Sequence, residues 1–282
     1  MLKRIWDNAL YFKQKVESDF RCFVLGKFAE GVFCDTLNGL FIVPKGDVVF
    51  GRSFGFRGGY GKDILDLLDD IARPTDTTCV LGTHIGAIFI PLAKKVKWTV
   101  GYEANPDTFK FLNKNVILNQ LDNVETFNLA VGDRQGTVKF RLNTVNSGGS
   151  KLTPKKDVYA YRYDHPKEIE VPMVILDEHA ALNFDIILMD IEGSEFLALK
   201  GMHDHLKNCR YLIIEYVPHH LTNISQISNE EFLVPIAAHF DSMRIIGSSR
   251  VYPKNEFLPA LNHLFDGQMS ADILFQNALE GK

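Results

Sequence analysis

The pattern of apolar and polar positions is clearest between residues 77 and 107. An apolar run without alternation ends just before Gly82, as expected of a strand that is buried on both faces. A second glycine, Gly86, opens a stretch with apolar residues at helical spacing, and a second apolar run at residues 98–102 leads to Glu103. The pattern predicts a strand, a glycine turn, a helix and a second strand that ends in a carboxylate.

Similar patterns predict the elements on either side of this unit. Residues 1–20 have an amphipathic pattern typical of a helix, and the short apolar runs after them predict a β-meander. Runs at 184–189 and 211–214 predict further buried strands, and a final run predicts an antiparallel edge strand. We therefore expect an α/β fold with a mostly parallel sheet. Residues 1–60 are predicted to form a small N-terminal helix and β appendage, and residues 61–282 the main domain.

The spacing of the glycines and the carboxylate indicates a nucleoside site. Glu103 follows Gly82 by 21 positions, close to the ~20 at which an acidic residue reaches a ribose in nucleotide-binding units. Its two oxygens suit the two donors of a vicinal diol. A dinucleotide motif would require a third glycine where His84 stands. A turn with the side chains of Thr83 and His84 between Gly82 and Gly86 fits a nucleoside that carries an amino acid, such as S-adenosylmethionine.

Several blocks of the chain together resemble one known family. These blocks are VPKGDVVFGRSF, LGTHIG, YEANPDTFKFLNKNVILNQLDNVETFNLAVGDRQGTVKF, NSGGS, and ILMDIEGSEFLALKGM with LIIEY. In this order and spacing, over residues 40–216, they resemble the FkbM-type methyltransferases. The resemblance implies a doubly wound, Rossmann-like methyltransferase sheet. It also implies S-adenosylmethionine-dependent O-methylation of a sugar, polyketide or similar small acceptor.

The spacing and the resemblance together give a set of candidate cofactor-binding residues. The glycine-rich stretch that holds Ser53 is either a flexible connector or, as the family's G-R-S block favours, a lid over the cofactor. Adenine is expected against apolar side chains near Ala130, with Asn128 or Asp133 contacting its edge. The candidates are Ser53, Gly82, Thr83, His84, Gly86, Glu103, Asn105, Asn128, Ala130 and Asp190.

The candidate catalytic residues follow the predicted strand at 184–189. Ligands of open α/β sheets lie beyond the carboxyl ends of the strands, so Asp190 and Glu192 are expected near Gly82. Methyl transfer to a hydroxyl requires a base that removes its proton. Asp190 is the first choice for this base and Glu192 the second. Alternatively, Asp190 holds the ammonium of the cofactor and Glu192 caps the helix that begins at Ser194.

A metal ion is not required by this pattern. Asp190, Glu215 and His219 are an alternative set of ligands for a divalent cation that acidifies the acceptor hydroxyl. The sequence disfavours this set because adjacent histidines after a proline are usually solvated.

Composition narrows the class of partner. The net charge is −4 and no basic block is present, which argues against a nucleic-acid partner. No apolar run reaches the ~18 residues that a membrane span needs. The first residues lack a cleavage-site pattern, and the four cysteines are scattered, so we expect a cytoplasmic protein with reduced thiols. A small or glycosidic acceptor is expected, and a homo-oligomer is left open.

Two other functions compete with O-methylation. Val80 stands two positions before Gly82, where the family pattern has an aspartate that helps to hold the cofactor. This favours a catalytically weak or inactive methyltransferase-fold protein that binds or scaffolds. A nucleic-acid methyltransferase is disfavoured, because Asn105-Pro106 lacks the second proline and the aromatic residue of an amino-methylating loop.

Overall fold

A computed structural model describes residues 2–143, 146–156, 158–162 and 164–277. Its strands are β1 (Gly31–Thr36), β2 (Gly39–Pro44), β3 (Thr77–Leu81), β4 (Trp98–Tyr102), β5 (Val124–Phe127), β6 (Ala130–Val131), β7 (Gly136–Leu142), β8 (Lys151–Leu152), β9 (Lys167–Val174), β10 (Ile186–Met189), β11 (Tyr211–Tyr216), β12 (Ser242–Ile245), β13 (Val251–Pro253) and β14 (Ala271–Gln276). Its helices are α1 (Leu2–Leu25), α2 (Val48–Arg57), α3 (Lys62–Ile71), α4 (Phe89–Ala93), α5 (Pro106–Leu118), α6 (Leu176–His179), α7 (Glu195–Lys200), α8 (His203–Asn208), α9 (Pro218–His220), α10 (Asn229–Ala237) and α11 (Phe257–Asp266).

The main sheet has the strand order β13-β12-β14-β11-β10-β3-β4-β5. The five strands from β11 to β5 are parallel, whereas β14, β12 and β13 pair antiparallel. The chain builds β3, β4 and β5 outward and then returns to β10 and β11 on the other side of β3. This order confirms the predicted doubly wound class, and the antiparallel end contains three strands rather than one.

The parallel strands are buried on both faces because each is a continuous apolar run. Leu81, Met189 and Ile214 pack in one apolar cluster, beneath α7, α8 and α10. Their neighbours along the strands face the other way and pack in a second cluster with α2 and α3. The strand ends are therefore held rigidly, and the residues that follow them are fixed in space.

A second sheet, with the order β6-β9-β7-β8, covers one end of the main sheet. In this sheet β7 pairs antiparallel with β9 along its whole length, from Gly136 opposite Met173 to Leu142 opposite Lys167. Between β7 and β8, the hydroxyl of Ser147 contacts His84 in the turn after β3.

The N-terminal part differs most from its prediction. The first helix, α1, continues to Leu25, so the expected meander is reduced to the antiparallel hairpin of β1 and β2. The first part of the glycine-rich stretch is helix α2 rather than a flexible connector, and Asp47 accepts a hydrogen bond from the N–H of Phe50 at 2.8 Å where this helix begins. The role of a lid over the cofactor stays a prediction. Gly51 lies inside this helix, and a Cβ there would be 2.0 Å from Nη1 of Arg21.

Hydrogen bonds from α5 hold the hairpin of β1 and β2 against the main domain. Asn115 is fully buried, and its Oδ1 accepts from the N–H of Ile42 at 2.7 Å. Its Nδ2 donates to the carbonyl oxygens of Ile42 and Ile85, at 3.3 and 2.9 Å. Residues 31–44 therefore pack directly on the main domain, and the division at residue 60 stays a prediction. In the part of the chain that the structure describes, no helix is both long and apolar enough to cross a membrane.

Candidate functional site

A cavity of about 490 Å³ opens at the carboxyl ends of β3, β4, β10 and β11. β3 and β10 are adjacent in the sheet, with Leu81 opposite Met189. The chain continues from β3 to β4 on one side of this pair and from β10 to β11 on the other side. This is the switch point at which open α/β sheets bind ligands. Gly82, Glu103 and Asp190 all line the cavity.

The turn after β3 requires glycine at its first position. Gly82 has φ +83°, and a Cβ there would lie 1.8 Å from the carbonyl oxygen of Asp190. The N–H groups of Gly82 and Thr83 both donate to the carbonyl oxygen of Tyr102, at 2.9 and 3.1 Å. The hydroxyl of Thr83 is buried at the cavity wall, with no hydrogen-bond partner among the described residues. The turn thus brings three strand ends together and presents an unpaired polar atom to the cavity.

Glu103 is tied to this turn by its carboxylate. Its Oε2 accepts from the N–H of His84 at 2.8 Å, and its Oε1 accepts from the N–H of Asn105 at 2.8 Å. Burial raises the pKa of Glu103 to about 7, although both backbone hydrogen bonds lower it. A carboxylate has about four acceptor sites. Two of them therefore remain, one on each oxygen.

His84 forms one wall of the cavity through contacts that reach far along the chain. Its ring stacks on Phe50 with centroids 4.1 Å apart, and its Nε2 lies 2.6 Å from Oγ of Ser147. Because the hydroxyl of Ser147 donates to the carboxylate of Asp47, it accepts from His84, which places the ring hydrogen on Nε2. Burial lowers the pKa of His84 to about 4, so the ring is neutral at neutral pH.

Carboxylates gather at the opposite end of the cavity, around Asp190. Burial raises the pKa of Asp190 well above its ordinary value, and the negative charges of Glu192, Glu195 and Asp272 add to the effect. A side-chain hydrogen bond with Glu215 opposes it. Burial and the charge of Asp190 also raise the pKa of Glu215 to about 10. Asp190 and Glu215 therefore retain a proton between them while no positive charge is near.

Glu192 does not cap the helix that follows it, so the predicted capping role is wrong. The N-cap of this helix is Ser194, whose side chain makes no capping hydrogen bond. Oε1 of Glu195 instead accepts from the N–H groups of Ile191 and Gly193 in the preceding turn, at 3.2 and 3.0 Å. Glu192 has φ +54°, and its carboxylate accepts from Nζ of Lys151 at 3.0 Å. The positive φ turns Glu192 toward the cavity, which leaves its carboxylate available to a ligand.

The structure separates the predicted site residues into two groups. Those that line the cavity are Gly82, Thr83, His84, Glu103, Ala130, Asp190, Glu192 and Glu215. Four candidates lie outside its lining and support neighbouring elements instead: Ser53, Gly86, Asn105 and Asn128. Ser53 is buried within α2, and Gly86 packs against Ile90 and Leu112.

Asn105 and Asn128 have backbone partners that explain their position outside the lining. Oδ1 of Asn105 accepts from the N–H groups of Asp107 and Thr108, which caps α5. Nδ2 of Asn128 donates to the carbonyl oxygens of Glu103 and Ala104, at 2.7 and 3.2 Å. Both asparagines hold the segment that carries Glu103 rather than pointing into the cavity.

The predicted set of metal ligands requires a correction. His219 is exposed and its ring stacks against Tyr161, with centroids 5.8 Å apart. The adjacent His220 is buried instead, because the short helix α9 turns it toward the sheet. One donor atom each of Glu192, Glu215 and His220 lie within 4.8 Å of one another.

A second cavity, of about 300 Å³, adjoins the first and shares Asn146, Glu192 and Glu215 with it. Polar side chains form most of its wall: Arg141, Asn143, Lys151, Tyr161, Asp164, His219 and His220. Tyr161, whose aromatic ring could pack against a sugar, is part of this wall, whereas the adjacent Arg162 does not line the cavity.

Sequence reasoning missed several residues of both cavities. Phe50 and Tyr60 line the first cavity from the N-terminal part, and Lys151 and His220 line the second. Phe50 lies in the VPKGDVVFGRSF block that carried part of the family resemblance, so that block was a usable signal. For Lys151 the sequence offers no comparable pattern.

Comparisons with known proteins agree with this arrangement. The family model described as Methyltransferase FkbM domain matches residues 81–245, and no curated protein matches the chain. The chain is similar to the methyltransferase FkbM from Methylobacillus flagellatus KT, at 13% identity and a TM-score of 0.42, with coverage of 77% of this chain and 48% of that one. It therefore spans about half the length of that protein.

Two further solved structures are similar. One is M. jannaschii TYW2 in complex with AdoMet, at 13% identity and a TM-score of 0.46, with coverage of 89% of this chain and 88% of that one. The other is an rRNA methylase from Streptococcus thermophilus, at 8% identity and a TM-score of 0.43, with coverage of 76% and 93%.

Proposed function

The chain belongs to the FkbM methyltransferase domain family, and from this premise we propose that it is an S-adenosylmethionine-dependent O-methyltransferase. Its acceptor is a hydroxyl of a sugar, polyketide or similar small molecule. The observation that carries the proposal is that one cavity joins the turn at Gly82, the carboxylate of Glu103 and the carboxylate of Asp190.

The residues around the first cavity fit the cofactor in three places. Glu103 keeps two acceptor sites after its hydrogen bonds to His84 and Asn105, which matches the two donors of a ribose diol. An apolar wall suitable for adenine is formed by Leu129, Ala130, Val131, Phe140 and Leu152. The unpaired hydroxyl of Thr83 and the carboxylate of Asp190 suit the polar ends of an amino acid.

When bound, S-adenosylmethionine supplies a methyl group on a sulfonium, whose carbon–sulfur bond breaks as an acceptor oxygen bonds to that carbon. The carboxylates of Asp190, Glu215 and Asp272 complement positive charge in this part of the cavity. A positive charge close to Asp190 and Glu215 lowers their pKa and displaces the proton that they retain. Asp190 is then ionised and can act as a base.

The second cavity suits the acceptor. It meets the first cavity at Glu192 and Glu215, so a hydroxyl bound there can reach the carboxylate of Asp190. Asp190 accepts the hydroxyl proton as the new bond forms, and Glu192 is the second candidate for this role. The polar wall, with Lys151 and Asp164, offers donors and acceptors for several hydroxyl groups. This polarity supports a hydroxylated acceptor over an apolar one.

A second candidate function rests on Val80. This residue lies in the first cavity wall and is 1% exposed, where the family pattern has an aspartate. A valine cannot accept a hydrogen bond from the ammonium of the cofactor. The alternative is therefore a methyltransferase-fold protein that binds or scaffolds with weak or no catalysis.

Isothermal titration calorimetry with S-adenosylhomocysteine tests the cofactor assignment, and radiolabelled methyl transfer to a panel of glycosides and polyketides tests the reaction. Saturable heat together with product supports the enzyme. Saturable heat without transfer to any acceptor favours the binding protein, whereas the absence of heat at millimolar ligand removes the cofactor assignment.

A further inference from the structure

A cluster of three donor side chains lies where the two cavities meet. Glu192 belongs to the turn after β10, Glu215 to the end of β11, and His220 to α9. One donor atom of each lies within 4.8 Å of the other two. Two carboxylate oxygens and an imidazole nitrogen at this spacing form a mixed oxygen and nitrogen donor set.

The imidazole of His220 is buried without a hydrogen bond. It is 4% exposed, and in the part of the chain that the structure describes no hydrogen bond engages its ring. Its Nε2 lies 3.6 Å from Oε2 of Glu192, which is longer than a hydrogen bond. Buried polar groups normally have a partner, so Nε2 is suited to bind a ligand between His220 and Glu192.

Glu215 gives an independent sign of a missing partner. Its Oε2 is buried and has no hydrogen-bond partner among the described residues. Within the same described part, no lysine or arginine forms an ion pair with Glu215, whereas Lys151 contacts only Glu192 in this cluster, with Nζ 3.0 Å from Oε2. Its other oxygen faces Asp190, which brings a second carboxyl group and no positive charge, so a cation between Glu215 and His220 would complement the buried Oε2.

We propose that Glu192, Glu215 and His220 bind one divalent metal ion at the junction of the two cavities. Metal–ligand distances of 2.0–2.3 Å allow donor atoms up to roughly 4.5 Å apart, which small side-chain movements of this cluster satisfy. Carboxylate oxygens suit Mg²⁺ and Mn²⁺, and imidazole suits the transition metals, so Mn²⁺ or Zn²⁺ matches the set best. Nζ of Lys151 donates to Oε2 of Glu192, the oxygen that also faces His220, and the remaining lone pairs of this carboxylate stay available to the ion.

The chemical role of this metal ion rests on the proposed function. A divalent ion on the wall common to both cavities faces the second cavity, where the acceptor hydroxyl is proposed to bind. Bound to the ion, that hydroxyl has a lower pKa and gives up its proton to Asp190 more readily. The metal site itself, however, is defined by three side chains of this chain and can be tested without any acceptor.

The test is titration of the full chain with Mn²⁺, followed by electron paramagnetic resonance and calorimetry. We expect saturation at one ion per chain and a nitrogen coupling from the imidazole in pulsed spectra. Glu192→Gln, Glu215→Gln and His220→Asn should each weaken Mn²⁺ affinity at least tenfold. The matched control is His219→Ala, which changes the exposed neighbour of His220 and should leave Mn²⁺ affinity within twofold.

The outcomes separate this proposal from the function on which it rests. Circular dichroism and S-adenosylhomocysteine affinity show whether each variant is folded. If His220→Asn does not fold, Glu192→Gln replaces it as the test variant, because Glu192 lies in a partly exposed turn. Failure of the wild-type chain to bind Mn²⁺, or affinities unchanged in the folded variants, overturns the metal site. If S-adenosylhomocysteine still binds in that case, the metal site alone has failed.

Discussion

The backbone N–H of His84 donates to Oε2 of Glu103 at 2.8 Å, and this bond joins the turn after β3 to the residue after β4. The second oxygen of Glu103 accepts from the N–H of Asn105 at 2.8 Å. One carboxylate therefore orders both loops that border the cavity. Its remaining acceptor sites are fixed in direction before any ligand arrives, and such preorganisation lowers the entropic cost of binding.

Glu103→Gln should weaken the binding of S-adenosylhomocysteine by about 1–3 kcal/mol, or roughly 5- to 150-fold. The amide keeps the shape of the carboxylate but replaces one acceptor oxygen with a donor. In either orientation that donor faces a backbone N–H, of His84 or of Asn105, and one acceptor site for the ribose is lost. Calorimetry measures the change. Glu125→Gln, exposed on the neighbouring strand β5, is the control, and equal affinities in the two variants would contradict the ribose role.

Asp190→Asn should lower turnover by about 10²–10⁴-fold, because an amide cannot accept the hydroxyl proton. The affinity for S-adenosylhomocysteine should change much less. Initial rates and calorimetry on the same preparation separate the two effects, with Asp122→Asn as an exposed control. If affinity falls as far as turnover, Asp190 holds the ammonium instead. Normal turnover would exclude it as the base.

The local part of the site could be predicted from the sequence. Gly82, Glu103 and Asp190 each follow an apolar run, and parallel strands end at the same edge of a sheet, so their meeting follows from pattern and topology. The structure places all three around one cavity. Their roles in binding and catalysis stay predictions.

The part that depends on packing could not be predicted. The short helix α9 decides that His220, and not the adjacent His219, is buried. A helix of three residues leaves no periodic pattern in the sequence from which this could be predicted. The contact between Asp47 and Ser147 joins residues 100 positions apart. Gly51 indicated a flexible loop, yet it lies in helix α2, where the guanidinium of Arg21 occupies the space that a side chain would take. Each of these outcomes depends on a tertiary neighbour.

Asn115→Ala should destabilise the protein by about 2–4 kcal/mol, since it removes a fully buried amide and leaves backbone groups of the hairpin without partners. Those groups are the N–H and carbonyl of Ile42 and the carbonyl of Ile85. Denaturant unfolding measures the loss. Asn113 lies on the same helix as Asn115 and accepts a single hydrogen bond, from the hydroxyl of Thr126 in β5. Asn113→Ala should therefore cost less than half as much stability. A similar cost for both would mean that the hairpin is not held by Asn115.

Stability should fall as the pH rises from 6.5 to 8.5, because of buried carboxyl groups. Burial raises the pKa of both Glu103 and Glu195 to about 7. In the unfolded chain both are ionised throughout this range, so the native state binds more protons and loses stability as it releases them. The loss over this range is on the order of 1 kcal/mol for each group. Histidines with lowered pKa, His84 and His220, act in the opposite direction, but only below about pH 6.5, where the unfolded chain takes up their protons.

Differential scanning calorimetry at constant ionic strength measures this slope. Glu195→Gln is the informative variant, because both backbone hydrogen bonds of Glu195 end on the same oxygen, which an amide carbonyl can replace. The variant keeps these two hydrogen bonds and removes one titrating group, so its melting temperature should depend less steeply on pH and exceed that of the wild type at pH 8.5. A melting temperature that climbs over this range in the wild type would show that these carboxyl groups are already ionised in the native protein.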